Sequence, residues 1–225
     1  KDNEALDEIT IKEIESHKDN KNWWLVYGLG ELGEVEGRIY TDWKIIDEVP
    51  HEARLERYGL DFGYTGDPTA IVAIYYYNGG YILDEEMFQK GLHNNQIADS
   101  VKNRPPALVV ADSAEPKSID ELKSYGINII GAQKGQDSVR HGIEFVQSQR
   151  ISVTKKSLNI IREYRNYMLM TDKEGNSIPG KPEKGFDHTM DAIRYGFSSL
   201  RPPKAKKKRK FVPGDPITGY GAKWV

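Results

Sequence analysis

LDFGYTGDPTAIVAIYYYNGGYILDEE, residues 60–86, sets three strand-like runs one after another. Leu60 to Tyr64 reads as a short strand, Thr69 to Tyr77 as a strong one rich in β-branched and aromatic residues, and Tyr81 to Glu86 as a third. Asn78-Gly79-Gly80 separates the last two, and Asn-Gly is a strong hairpin signal because both central positions of the tight turn need positive φ. The expected product is an antiparallel three-strand meander with an acid, Asp61, inside its first run.

Downstream the pattern becomes alternating. Asn94 to Lys102 reads as a helix, and Ala107 to Ala111 (ALVVA) as a strand apolar on both faces. Pro116 to Tyr125 has the proline near its start and Gly126 just past its end that mark a helix. Ile127–Ile130 and Ile151–Thr154 read as buried strands, Asp137–Gln149 as a helix and Ser157–Met170 as a long helix. Residues 171–185 carry glycines, prolines and charges and read as an exposed hairpin or loop; Asp187–Leu200 is a last helix, stopped by Pro202 and Pro203. Short helix–strand units imply parallel pairing with crossovers. The fold class is α/β: a central mixed β-sheet, meander plus parallel strands, flanked by α-helices.

Upstream, residues 1–20 are polar and suit a short helix at most, and Trp23–Tyr27 (WWLVY) suits a strand. The expected division is a connector with short strands over 1–57, one folded domain over 58–200 and a basic tail over 201–225. The chain has no cysteine, so any metal must be held by Asp, Glu, His or backbone oxygen, which favours hard ions. No apolar run approaches the roughly 20 residues of a membrane span. The net charge of -2 hides a segregation, because Lys204, Lys206, Lys207, Lys208, Arg209 and Lys210 crowd the tail; such a run attracts phosphate backbones without reading sequence, and serves equally as a solvated tail.

Three acids share an unusual setting. Asp61 lies in an apolar strand, Asp112 ends another (LVVADSAEP), and Asp191 sits on the last helix (DHTMDAIRYG). Strand-associated carboxylates are costly unless paired, and in open sheets ligands bind at the carboxyl ends of strands. If the first strand lies beside and parallel to 107–111, Asp61 comes close to Asp112. On the last helix Met190, Ile193 and Phe197 mark the buried stripe, while Asp187, His188 and Asp191 share one shoulder. Three converging carboxylates become tolerable with a divalent cation among them, which is the logic of two-metal phosphodiester cleavage. Taken singly, Asp112 serves as well as a turn former, Asp67 before Pro68 as a turn residue, and Asp187 as a helix cap. GLGELG at 28–33 spells a dinucleotide motif, but Glu31, Glu34 and Glu36 would repel a pyrophosphate and no apolar helix pattern follows.

At these residues the chain resembles the nuclease domain of the large terminase subunit of tailed bacteriophages, the motor that packages DNA into capsids. LDFGYTGDPTA (60–70), VVADSAEP (109–116) and FDHTMDAIRYG (186–196) carry the resemblance, and WWLVYGLGELGEVEGRIY (23–40) is similar to the connector between that family's ATPase and nuclease parts. The resemblance implies an RNase H-like fold and cleavage of double-stranded DNA, with little sequence preference, using Mg2+ or Mn2+ as a pair of ions. It implies Asp61, Asp112 and Asp191 as metal-binding acids, His188 and Asp67 as accessory positions, and a hairpin over 171–185 beside the site. It further implies, in the full-length protein, an ATPase domain, a small terminase subunit and a portal as partners, no membrane, and a place in the host cytoplasm and transiently on the procapsid. No G-x-x-x-x-G-K-[ST] loop occurs, so this chain, which starts at Lys1, reads as the nuclease part alone. The competing readings are a Holliday-junction resolvase or transposase-like nuclease, a fragment of an actin-like ATPase whose phosphate hairpin LDFGYTGDPTA would be, and a non-catalytic DNA or motor docking module.

Overall fold

The apolar run after Asp67 becomes the centre of the sheet. In the computed structural model, which describes residues 37–63, 66–133, 135 and 137–200, strand β3 (Pro68–Tyr77) is buried along its first seven residues. It pairs antiparallel on one side with β2 (Arg54–Asp61) and on the other with β4 (Gly80–Lys90). The expected turn between β3 and β4 is there, with Asn78 and Gly79 both at positive φ, 45° and 74°. The expected helix in 1–20, the strand at Trp23–Tyr27, the GLGELG stretch and the basic residues 204–210 lie outside the described residues.

The remaining elements are β1 (Lys44–Ile46), α1 (Asn94–Lys102), β5 (Leu108–Ala111), α2 (Pro116–Ser124), β6 (Ile129–Gly131), α3 (Ser138–Gln147), β7 (Ile151–Thr154), α4 (Leu158–Asn166), β8 (Leu169–Thr171), β9 (Ser177–Pro182) and α5 (His188–Ser198). Seven strands make one mixed sheet in the order β1-β7-β4-β3-β2-β5-β6, with β5, β6, β7 and β1 joining by parallel pairing. Helices cover both faces. One core gathers Ile97, Val101, Ile119 and Leu122 of α1 and α2 on Leu60, Ile71 and Val109. The other gathers Ile143, Val146, Ile160, Met190, Ile193 and Phe197 of α3, α4 and α5 on Val72, Ile74 and Leu83. Among the described residues no helix is long and apolar enough to cross a membrane.

Three boundaries differ from the sequence expectation, each for a visible reason. Strand β2 starts at Arg54, six residues before Leu60, and ends at Asp61; its first half is charged, only part-buried, and interrupted by a bulge between Leu55 and Arg57 that breaks the alternation. Strand β4 runs on to Lys90 because Met87 and Phe88 still pair with Ile71 and Ala70. The helix expected over 157–170 stops at Asn166. Tyr167 accepts a hydrogen bond from Ile39 N–H and Leu169 donates one to the Gly37 carbonyl, so an incoming segment captures backbone groups that a longer helix would have used internally. Leu169–Thr171 then pairs with Ser177–Pro182, giving the hairpin expected beyond residue 171.

Candidate functional site

Glycine sets the position of α5. A Cβ built at Gly59 of β2 would lie 1.9 Å from the Ala192 carbonyl oxygen, and one at Gly196 would lie 2.4 Å from Ile74 Cδ1. The helix therefore rests directly on the strand's backbone, with no side chain interposed. This seats Ala192, and with it Asp191, against a strand that ends two residues later at Asp61.

Strand β5 delivers the second acid. Its parallel ladder with β2 places Leu60 opposite Ala111, so Asp61 and Asp112 are the next residues on neighbouring strands, at the same height and at the carboxyl end. The adjacency anticipated from sequence is present. Gly63 shapes the turn beyond Asp61: a Cβ there would come within 2.2 Å of the Asp67 carbonyl, and Gly63 N–H donates to Thr69 Oγ1 at 3.1 Å. That folded turn brings Asp67 back over the strand ends, where it is 72% exposed.

His188, the first residue of α5, bridges these parts. Its Nδ1 is 3.2 Å from Asp61 Oδ2 and its Nε2 4.0 Å from Asp67 Oδ1. Asp61, 15% exposed, has its pKa pushed up to about 6, first by burial and then by the negative charges of Asp191 and Asp112, against the His188 hydrogen bond that favours the carboxylate. The His188 ring is shifted upward in turn, chiefly by that hydrogen bond, with burial opposing. Asp191 and Asp112 thus both lie within electrostatic reach of Asp61.

Each acid also has a partner other than the remaining two. Asp112 accepts from Ala114 N–H through Oδ1 and from the Tyr195 hydroxyl through Oδ2, at 2.8 and 3.1 Å. Asp191 stands 2.8 Å from the Arg194 guanidinium. As the side chains lie, no three His, Asp or Glu groups among the described residues close around a common point. Each carboxylate is taken up by its own donor, and a cation would offset their mutual repulsion. Carboxylate oxygens with one imidazole form a donor set suited to a hard divalent ion, so the residues fit such a metal.

Three further residues bear on the site beyond those the sequence singles out. Tyr195 and Arg194 follow Asp191 at helical spacings of four and three, a usable signal given Asp191. Glu163, fully buried on α4, accepts both the backbone N–H and the hydroxyl of Thr189, at 2.6 and 2.5 Å. Nothing in the local sequence announces that long-range contact. Asp187 precedes α5, but its side chain does not cap it; it accepts from Lys184 Nζ and Gly185 N–H instead.

Comparison with known proteins gives a consistent result. The family model described as the terminase RNAseH like domain matches residues 61–199. The chain is 37% identical over 212 residues to the terminase large subunit of Bacillus phage SPP1, covering 87% of this chain and 49% of that protein, so it spans about half the length of that relative. Among solved structures, the large terminase nuclease domain from bacteriophage SPP1 with bound Mn is 32% identical with a TM-score of 0.62, covering 72% of this chain and 98% of that one. A large terminase from a thermophilic bacteriophage is similar in fold, with a TM-score of 0.58 at 22% identity over 88% of this chain and 53% of that one.

Proposed function

Since the chain belongs to the terminase RNase H-like domain family, we propose that it is the nuclease part of a phage terminase large subunit and hydrolyses double-stranded DNA using divalent metal. The observation that carries this reading is that Asp61 and Asp112 sit at the adjoining carboxyl ends of parallel strands, with Asp191 on a helix seated on the bare glycine of the first. The Mn-bound nuclease domain of the similar SPP1 protein supports the choice of ion.

In this reading Asp61, Asp112 and Asp191 hold Mn2+ or Mg2+, as a pair of ions. When bound, such ions activate the attacking water and stabilise the leaving oxygen of the phosphodiester. Asp61 is held toward the site by His188 Nδ1, and His188 Nε2, facing Asp67, is the atom placed to carry a proton between site and solvent. Tyr195 fixes the rotamer of Asp112 through its hydroxyl. The rest of the full-length protein supplies the ATPase domain, and the small terminase subunit, portal and host cytoplasm form its working surroundings.

The test is cleavage of supercoiled plasmid in Mn2+. Substituting a metal ligand should cost more than the roughly 10- to 100-fold typical of the groups that support ligands. Asp61→Asn and Asp112→Asn are each expected to lose nicking by more than about 100-fold while keeping their circular dichroism spectrum. Cutting by both variants at the wild-type rate would overturn the assignment.

A further inference from the structure

We propose that Glu163 is a positioning residue for the metal site: a carboxylate on one helix that caps the start of the next and so fixes the turn bearing His188 and Asp191. The inference rests on the nuclease reading above and extends it to a residue outside the acidic set.

The first four N–H groups of a helix have no partner inside it, and a buried helix start must find them elsewhere. The residue preceding α5, Asp187, is buried, and its carboxylate points back to Lys184 and Gly185 rather than forward to the helix. Thr189, the second residue of α5, is fully buried, so water cannot serve its N–H. Glu163 Oε2 takes that N–H and the Thr189 hydroxyl together, two bonds from one oxygen. A carboxylate at this end also faces the positive pole of the helix. Thr189 is flanked in sequence by His188 and, two residues on, by Asp191, so the captured residue lies inside the functional turn.

The rest of α5 is located by other means, since Ala192 and Gly196 lie against β2 and β3. That contact sets the height of the helix but not the course of its first turn. Glu163 itself is steadied by the same device one step earlier: Glu85 of β4 accepts from Asn159 N–H and Ile160 N–H at 2.8 and 3.1 Å, capping α4. The sheet thus holds α4 through Glu85, and α4 holds the site-bearing turn through Glu163.

Mn2+ titration by electron paramagnetic resonance, read on metal-bound and free ion rather than on cleavage, separates positioning from bulk stability. Glu163→Gln retains both Thr189 bonds when its amide oxygen takes the place of Oε2, its NH2 then occupying the place of Oε1, which has no hydrogen-bond partner among the described residues. Residues that orient metal ligands typically contribute 10- to 100-fold in affinity, so Glu163→Leu is expected to weaken Mn2+ binding by about tenfold or more. Glu163→Gln should stay within about threefold of wild type, both being measured well below the melting temperature. Wild-type Mn2+ affinity in Glu163→Leu, even with a lowered melting temperature, would overturn the inference and leave the nuclease reading intact. A wild-type chain that takes up no Mn2+ would instead overturn that reading, and this inference with it. If Glu163→Leu does not fold, Thr189→Val carries the test: it drops only the hydroxyl bond, and an unchanged Mn2+ affinity there overturns the inference.

Discussion

Beneath α1 and α2 the sheet is covered by Ile97, Ala98, Val101, Ile119 and Leu122, and none of the buried polar or charged side chains among the described residues belongs to those two helices. Beneath α4 and α5 the layer mixes Ile160, Met190, Ile193 and Phe197 with buried Glu163, Thr189 and Arg194. A buried ion costs free energy unless it is paired and hydrogen-bonded, so the second face tolerates groups the first avoids. Asp61 and Asp112 stand at the ends of strands shared by both faces, while the α4–α5 layer carries His188 and Asp191 and the groups that orient them. The difference teaches that both layers contribute apolar packing, while only the α4–α5 layer adds the buried polar groups that orient the site.

The contrast can be broken most severely where the α5 layer touches the sheet. Gly59→Ala puts a methyl group 1.9 Å from a helix carbonyl, against backbone that has no flexible end to yield. Overpacking of this kind is expected to cost at least about 3 kcal/mol. The variant should melt far below wild type or fail to accumulate folded; thermal unfolding within a degree or two of wild type would refute the direct seating of α5.

On the other face, Leu122→Ala should cost about 2–5 kcal/mol by removing fully buried apolar volume. Denaturant unfolding measures that loss, and Mn2+ affinity measured under folding conditions should not change. A shift in affinity would show that the α1–α2 layer does tune the site.

The smallest effect has the opposite sign. Asp61 holds its proton more tightly in the folded chain than in the unfolded one, so the folded state is penalised progressively as pH rises from about 4 through about 6. Asp61→Asn escapes that penalty. Without metal it should be more stable than wild type by on the order of 1–2 kcal/mol at pH 7, an advantage that fades near pH 4. Adding Mn2+ should reverse the ranking if the cation binds the folded wild type as proposed above. Equal stability of the two metal-free proteins at pH 7 would mean that burial and the neighbouring acids impose no such cost.

The same contrast explains what could be read from the sequence. On the aliphatic face, periodicity and turn chemistry suffice: Asn78-Gly79 gives the meander, and Pro116 with Gly126 gives α2. The neighbouring placement of Asp61 and Asp112 follows from the rule for strand ends and holds in the ladder. On the charged face the determinants are long-range. Glu163 looks like an ordinary exposed helix residue until Thr189 is placed against it, and the end of α4 depends on a segment more than a hundred residues earlier. The start of β2 is hidden because Arg54, Glu56 and Arg57 give the strand a polar, bulged entrance. Contacts between distant stretches leave no local pattern, so these features are invisible where the strands and turns are not.

The β2–β5 ladder has one more consequence. Neighbouring strands lie roughly 4.8 Å apart whatever side chains they bear. The backbone interval between the strand ends that lead to Asp61 and Asp112 is therefore imposed by peptide hydrogen bonding. The interval stays constant provided neither strand slips by a residue.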